Sequence, residues 1–338
     1  MDNIEILDIN DQPHNEPNNE IDSQTVNFSV VNAYGEDLTA KKYITNPAIA
    51  RDDEIKKLII ILLTPDKSGL LIGKAGIGKT AIVEGLAYKI QNNDVPDALK
   101  GYRIIKINST SLLGKITKDG KEEMAISILV RELKGMSKVI LFIDEVHTLI
   151  GGSGTGPMDL ANILKPALDR GDIKAIGATT TEEYEAYVIR DRAFLRRFDR
   201  IDVLEPDEPT TVKILVGTIP RIAAKTGANF AYTDYIVEEL MQAIVSATST
   251  YKRVYGLAAM YPDVALSVLS QAFSNALFDN RSVVNVLDVY NAIKNSKRIY
   301  PDAIIKELNK FRVTFAKLCA DDNVVLPEVT INDIKVEE

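Results

Sequence analysis

The chain has 338 residues, 46% of them hydrophobic, and a formal net charge of −8, so it is long enough for two packed units with substantial cores. The single cysteine, Cys319, excludes an internal disulfide framework, and two histidines are too few for a zinc site built from His and Cys. No apolar run approaches the roughly 20 residues that a membrane-spanning helix needs, and the beginning of the chain does not resemble an export signal. We therefore expect a cytoplasmic protein with no membrane partner.

The negative charge is concentrated at the beginning of the chain. Residues 1–40 contain nine acidic residues and no Lys or Arg, which leaves 39 acidic residues against 40 basic ones in the remainder. Residues 1–26 are rich in Asn, Asp and Glu, and we predict that they form a disordered acidic leader. A nearly neutral remainder without a basic stripe argues against direct binding of nucleic acid.

The elements that follow the leader predict an α/β fold. A helix is predicted from Arg51 to Leu63, because acidic residues in its first turn precede an apolar stretch. Five candidate strands, separated by helical patterns, then predict a mostly parallel sheet covered on both faces. These candidate strands are residues 70–72, 103–107, 139–143, 174–179 and 200–203.

A turn-rich stretch at residues 205–209 predicts a domain boundary. We accordingly expect a large α/β nucleotide-binding subdomain over residues 27–205 and an entirely helical small subdomain over residues 206–299. Residues 300–338 are predicted as one further helix, to about Leu318, and a loosely held tail.

Residues 73–80 form a complete G-x-x-x-x-G-K-[ST] phosphate-binding loop between an apolar run and a helical pattern. Glycines let successive backbone N–H groups point at phosphate oxygens, and a helix N-terminus favours the anion. Lys79 can reach the β- and γ-phosphates and is a candidate catalytic residue, while the Thr80 hydroxyl can ligate Mg²⁺. The predicted nucleotide ligands in this segment are Gly73, Ala75, Gly76, Ile77, Gly78, Lys79, Thr80 and Ala81.

A pair of carboxylates follows the apolar run 139–143, about 65 residues beyond the phosphate loop. The carboxyl ends of parallel strands are where such sheets bind ligands. Asp144 is predicted to hold Mg²⁺, and Glu145 to orient and deprotonate the attacking water. The alternative is a charged strand end that begins a helix cap.

These motifs together resemble the Clp-type AAA+ ATPases, and specifically their first nucleotide-binding module. The similarity extends from about Ala33 to Leu318, with one departure at Ala50, where the family usually has glycine. The segments that carry it are residues 34–39, 46–55, 73–87, 141–148, 164–168, 176–180 and 195–198.

The resemblance implies an AAA+ fold, with a five-stranded parallel sheet and a C-terminal helical subdomain, that binds ATP and Mg²⁺. It implies that Thr180 senses the γ-phosphate and that the backbone around Ala48 and Ile49 contacts adenine. It also implies that Arg196 and Arg197 act as arginine fingers on a neighbouring subunit's nucleotide, and hence a homo-oligomeric, hexameric ring. The alternative for the two arginines is a helix cap, or ion pairs with the neighbouring residues Asp191 and Asp199.

Two features depart from the family pattern. Thr117 stands where the family's pore loop carries an aromatic residue, and the glycine-rich loop at residues 151–157 is also non-aromatic. Threonine lacks the broad apolar surface of a ring. The sequence contains one phosphate loop, so we expect a single ring.

Three functions remain open. The first is an ATPase ring that remodels protein partners or assemblies. The second is a nucleotide-gated binding or regulatory module that co-assembles with another Clp-type ATPase. A DNA-handling AAA+ loader is the third, and the charge distribution argues against it.

Overall fold

The structure is a computed structural model that describes residues 29–112, 114–118, 121–150, 161–256, 260–330 and 333. The predicted acidic leader, residues 1–26, and the glycine-rich loop, residues 151–157, lie outside the described residues. Within the described ranges, no helix combines the length and the apolar character needed to cross a membrane.

The main sheet of the described residues has six strands in the order β1–β3–β6–β7–β2–β8. Five are mutually parallel, as predicted, whereas β1 pairs antiparallel with β3 at the sheet edge. The expected five-stranded sheet does not include β1. The three residues of β1 show no hydrophobic pattern in the sequence, and they form a strand by pairing with the free edge of β3. The strands are β1 (Gly35–Asp37), β2 (Ser68–Ile72), β3 (Arg103–Asn108), β6 (Val139–Asp144), β7 (Lys174–Thr179) and β8 (Phe198–Asp202).

Helices cover both faces of this sheet because alternate strand residues point to opposite sides. Leu70 and Ile72 belong to the core on one face, and Leu71 belongs to the core on the other. The first face packs against α1 (Ser29–Tyr34), α4 (Ala125–Lys134), α5 (Ala161–Asp169), α6 (Thr181–Ala186) and α7 (Arg192–Leu195). The second face packs against α2 (Asp52–Leu63) and α3 (Lys79–Gln91).

A short antiparallel hairpin lies between β3 and α4. Its strands are β4 (Lys115–Lys118) and β5 (Lys121–Met124), and Thr117 faces Glu122 across it. Thr117 is exposed. Exposed charged pairs flank the hairpin: Lys115 contacts Glu122 at 3.0 Å, and Glu123 at its base contacts Arg131 of α4 at 2.7 Å.

The remaining helices enclose a separate hydrophobic core. They are α8 (Glu208–Thr226), α9 (Asp234–Ala247), α10 (Asp263–Phe278), α11 (Val286–Lys294), α12 (Pro301–Thr314) and α13 (Ala316–Asp321). The expectation of an entirely helical unit is corrected by two short parallel strands, β9 (Asn229–Phe230) and β10 (Val283–Val284). Two residues per strand are too few to leave a periodic pattern in the sequence.

The chain after residue 300 packs into this same core. The helix predicted to reach Leu318 is interrupted at Phe315, between α12 and α13. Leu326 and Val329 are buried, and the Tyr290 hydroxyl donates a hydrogen bond to the Pro327 carbonyl at 2.6 Å. The prediction of a loosely held tail is therefore wrong for this stretch, because its apolar residues pack into the core that the other helices form.

Candidate functional site

The phosphate loop connects β2, whose five residues are all buried, to the N-terminus of α3. Gly76 and Gly78 have φ angles of +73° and +101°, which side-chain-bearing residues adopt at a cost. A Cβ on Gly73 would lie 2.5 Å from the Val203 carbonyl oxygen. The glycines are thus required by the turn itself, and the turn aims the first backbone N–H groups of α3 outward.

A cavity of about 540 Å³ opens in front of this loop. The loop from Ala75 to Thr80 forms one wall. Polar residues from the carboxyl ends of β3, β6 and β7 and the start of α6 form the other: Lys106, Asn108, Asp144, Glu145, Thr179, Thr180 and Glu183. The sheet thus brings the phosphate loop, the predicted metal ligands and the predicted general base to one cavity.

Lys79 lies folded over the phosphate loop. Its ammonium donates to the carbonyl oxygens of Gly73 at 2.7 Å and Lys74 at 3.1 Å. Burial lowers the pKa of Lys79 below its ordinary value, although the carboxylates of the cavity, Asp144 foremost, oppose that shift. These carbonyl contacts are replaceable, so the ammonium is available to a phosphate that enters the loop.

Asp144 and Thr80 are in direct contact. The Thr80 hydroxyl donates to Oδ2 of Asp144 at 3.0 Å, and the Lys106 ammonium lies 3.3 Å from the same oxygen. A hydroxyl and a carboxylate side by side form an all-oxygen donor set of the kind Mg²⁺ takes together with phosphate oxygens. The residues present therefore fit a magnesium ion.

Glu145 adopts a left-handed backbone conformation, with φ 54° and ψ 47°. Its carbonyl accepts hydrogen bonds from the backbone and hydroxyl of Thr148, which begin a 3₁₀ turn over Val146–Leu149. Among the described residues, its carboxylate has no hydrogen-bond or ion-pair partner. A strained backbone that presents an unpaired carboxylate to a cavity is typical of functional positions.

Thr180 caps helix α6. Its hydroxyl accepts from the Glu183 backbone N–H at 3.2 Å, while the Glu183 carboxylate accepts from the Thr180 N–H at 3.0 Å. This capping box leaves the hydroxyl proton of Thr180 available to a further acceptor. Glu183 also contacts Thr179 and His147, at 3.2 and 3.0 Å.

The pKa of Glu183 reflects this environment. Burial alone would raise it, but the backbone and side-chain hydrogen bonds of Thr180 and the nearby His147 outweigh burial and hold it below its ordinary value.

Arg196 and Arg197 lie at the amino ends of the parallel strands, whereas the cavity lies at their carboxyl ends. They directly precede β8, whose first residue, Phe198, pairs with Ser68 at the amino end of β2. The phosphate loop follows the carboxyl end of β2, about 16 Å away for a five-residue strand. Neither arginine lines the cavity of its own chain.

The suggested aspartate partners of the two arginines have other contacts. Asp191 caps α7 and pairs with Lys165 at 2.7 Å, and Asp199 pairs with Lys67 at 2.7 Å. Arg196 is exposed, and its side chain has no hydrogen-bond or ion-pair partner among the described residues.

The predicted adenine-contacting segment packs beside the loop rather than into the cavity. Ala48 is buried against Gly85 of α3, and Ile49 lies against Gly217 of α8. Ala81, one residue beyond Thr80 in α3, does not line the cavity either. The side chains of Ala48 and Ile49 are therefore occupied in packing, which leaves their backbone as the part that can meet a base.

Five residues at or beside the cavity that the sequence reasoning missed are Lys106, Asn108, Thr179, Glu183 and Arg51. Lys106 and Asn108 are polar residues at alternate positions of a strand whose other residues after Arg103 are all isoleucine, a signal that could have placed both on the cavity side. Arg51 is buried and donates to the carbonyls of Ile77, at 2.9 Å, and Leu204, at 3.1 Å. Nothing local in the sequence distinguishes it from a surface arginine.

This chain is similar to known proteins over most of its length. The model of the ATPase family associated with various cellular activities (AAA) matches residues 69–205. A probable ATP-dependent Clp protease ATP-binding subunit of Chlamydia pneumoniae is 40% identical over 249 residues, which are 72% of this chain and 28% of that protein. The chaperone protein ClpB of Pseudomonas putida is 38% identical over 279 residues, 81% of this chain and 32% of that protein.

This chain is also similar to solved structures. The S. cerevisiae Hsp104–ADP complex matches with a TM-score of 0.66 and 31% identity, over 87% of this chain and 50% of that one. The chain spans about a third of the length of the two curated relatives.

Proposed function

We propose that this chain, which belongs to the AAA ATPase family and is related to the Clp-type ATPases, hydrolyses ATP with Mg²⁺ to remodel protein partners. The observation that carries the proposal is the convergence of the phosphate loop, the Thr80–Asp144 pair and Glu145 on one cavity. A cytoplasmic location, a ring assembly and protein clients are parts of the same proposal.

The phosphate loop binds the triphosphate in this proposal. Backbone N–H groups from Ala75 to Ala81 surround the phosphates at the N-terminus of α3, with Gly73 allowing the loop to leave β2. Lys79 exchanges its carbonyl partners for the β- and γ-phosphates, where it neutralises charge that develops during transfer. The backbone at Ala48 and Ile49 contacts the adenine.

Thr80 and Asp144 hold the magnesium ion, which supplies positive charge against the phosphate oxygens. Glu145 orients the attacking water and takes its proton, and the absence of a partner for its carboxylate among the described residues supports that role. Thr180 donates its hydroxyl proton to the γ-phosphate while it caps α6. Asp144 and Glu145 lie at the end of β6, Thr180 follows β7, and Thr80 lies in the first turn of α3, so strands and a helix fix their relative positions.

Arg196 and Arg197 act on the nucleotide of a neighbouring subunit. Their separation from the cavity of their own chain, across the length of β2, supports action in trans rather than in cis. A site completed by a neighbour requires a head-to-tail assembly, which closes into a ring, most simply a hexamer in this family. A guanidinium in this role is worth about 10³–10⁵ in rate in other phosphoryl-transfer systems.

The hairpin β4–β5 favours the second candidate function, a nucleotide-gated module that regulates another Clp-type ATPase. Its strands present Thr117 and charged pairs, and residues 115–124 contain no aromatic residue. Such a surface grips an apolar polypeptide weakly. A casein-unfolding assay separates the two functions, because a remodelling motor unfolds the substrate alone and a regulatory module does so only with a partner ATPase.

The first experiment measures ATP turnover per subunit over a wide range of protein concentration. Specific activity should rise with concentration as rings form, and Glu145→Gln and Arg197→Ala should each reduce it by about 10³-fold or more. Arg192→Ala, which removes an exposed arginine from neighbouring α7, is the matched control. Wild-type protein that binds ATP but stays inactive at every concentration would overturn the motor and favour the regulatory module.

A further inference from the structure

The ion pair between Lys106 and Asp144 joins a cation to a predicted magnesium ligand. The Lys106 ammonium lies 3.3 Å from Oδ2 of Asp144, the same oxygen that accepts the Thr80 hydroxyl. Both charged side chains are mostly shielded, with 27% and 28% of their surface exposed. The contact is therefore stronger than a pair on the open surface.

The sheet register determines this pairing. In the parallel ladder of β3 and β6, Lys106 stands beside Phe142 and Asn108 stands beside Asp144. The Lys106 ammonium lies 5.7 Å from the centre of the Phe142 ring, so its stem crosses an apolar surface before it reaches the carboxylate. Lys106 is thus directed at Asp144 by two adjacent strands rather than by a mobile loop.

The pairing of Lys106 with Asp144 changes the charge that an incoming triphosphate meets in the cavity. The lining residues include two cations, Lys79 and Lys106, and three carboxylates, Asp144, Glu145 and Glu183. Without Lys106, the carboxylates of Asp144 and Glu145 would face an incoming triphosphate with Lys79 as the one remaining cation among the described lining residues. With Lys106 present, Asp144 is neutralised before any metal binds, but the ammonium then competes with a metal for the same oxygen.

We propose that Lys106 is a counter-ion of Asp144. Its charge allows a nucleoside triphosphate to bind in the cavity without magnesium, and Lys106 releases the Asp144 carboxylate when magnesium binds. The inference rests on the proposed nucleotide site and extends it. Lys106 consequently reduces the difference between the affinity for free nucleotide and the affinity for the magnesium complex.

The test measures the dissociation constant of a non-hydrolysable ATP analogue, in excess EDTA and in saturating Mg²⁺, for wild type and Lys106→Met. Methionine keeps most of the apolar stem of lysine and removes the charged ammonium with its N–H donors. We expect the affinity in EDTA to fall about tenfold, because an uncompensated carboxylate then repels the phosphates. The affinity in Mg²⁺ should change by less than about threefold, since the lost attraction to phosphate is offset by the lost competition for Asp144.

The ratio of the two dissociation constants is the quantity that decides the proposal. An approximately tenfold larger ratio in Lys106→Met, with Lys106→Arg close to wild type, supports it. Equal losses in EDTA and Mg²⁺, or no change in either, overturn it, because Lys106 would then act on the phosphates directly or only on the sheet. Lys57→Met, on the exposed side of α2, is the matched control, and Lys106→Gln replaces Lys106→Met if the latter fails to fold.

The outcome is distinguishable from a failure of the proposed function. Wild type that binds the analogue while the ratio stays constant overturns only the role of Lys106. Wild type that does not bind in either condition overturns the nucleotide site and the role of Lys106 with it.

Discussion

Ala50 lies in the left-handed backbone region, with φ 54°, directly before the buried Arg51. An alanine there costs roughly 1 kcal/mol relative to glycine, because its Cβ crowds the following carbonyl. The sequence comparison singled out this position as a departure from glycine, and the backbone angle gives the physical meaning of that departure. The chain tolerates the cost because Arg51 and Ala48 hold the segment on both sides.

Ala50→Gly should therefore raise the free energy of unfolding by about 0.5–1 kcal/mol. The neighbouring Ala48→Gly should lower it by about 1 kcal/mol, because the Ala48 side chain is buried against Gly85. Urea unfolding monitored by circular dichroism measures both changes. Two changes of the same sign would contradict the backbone explanation.

At the scale of elements, Arg51 connects the start of α2, the phosphate loop and the segment that leaves the main sheet. Its guanidinium contacts the Glu54 carboxylate at 2.8 Å and the carbonyls of Ile77 and Leu204. Glu205 then receives hydrogen bonds from Arg253, at 2.8 Å, and from the Tyr261 N–H, at 2.7 Å. Contacts from the phosphate loop thus continue without interruption into the helical part of the chain.

Arg51→Met should destabilise the protein by about 2–4 kcal/mol, because it leaves buried carbonyls and a carboxylate without their donor. Arg103→Met removes a half-exposed pair with Asp37 and should cost less than about 1 kcal/mol. Chemical denaturation compares the two variants. A cost for Arg51→Met no larger than that for Arg103→Met would show that the connection is not stabilising.

The cap of α6 makes a further prediction, about pH. The folded-state pKa of Glu183 is below its ordinary value, so Glu183 stabilises the fold above that ordinary value and loses this contribution as the pH falls through the folded-state pKa. Glu183→Gln should therefore lower the melting temperature at pH 7 and have little effect in acid below both pKa values. Glu185→Gln, in the same helix, is the control. A melting-temperature difference that stays constant from pH 7 to acid would contradict the assignment.

At the scale of the whole molecule, Glu145 lies at the carboxyl ends of the parallel strands and the paired arginines lie at their amino ends. If both act on the same nucleotide, they come from different subunits. A protomer altered at Glu145 still offers its arginines to a neighbour, and a protomer altered at Arg197 still offers its cavity. The proposed assembly can therefore be tested by complementation, because in it two inactive chains would restore an intact site between them.

Mixing Glu145→Gln with Arg197→Ala in equal amounts should restore about a quarter of wild-type ATP turnover, since random assembly forms one intact interface in four. Each variant alone, at the same total concentration, should remain inactive. Subunits must be exchanged before the assay, for example by dilution and reconcentration. An inactive mixture whose exchange is verified would indicate that Arg197 serves its own chain, or serves only structure.

The amino-acid sequence by itself determined the local features of this protein. The phosphate loop depends on glycines at fixed spacing, and the carboxylate pair depends on an apolar strand that ends in Asp144 and Glu145. The five parallel strands are predicted for a similar reason, because each is a short segment rich in apolar residues between helical patterns, and this signal does not depend on the strands that pair with it. The relation to the Clp-type ATPases followed from these segments, and the comparisons confirmed it.

Only the tertiary structure decided which distant residues meet. β1 has no pattern of its own and exists because β3 has a free edge, and the β4–β5 hairpin and the buried stretch near Leu326 likewise depend on neighbours. Lys106 reaches Asp144 through strand register, and Arg51 reaches Ile77 through a packed turn. Such contacts arise from pairing and packing between segments far apart in the chain, which no local pattern encodes.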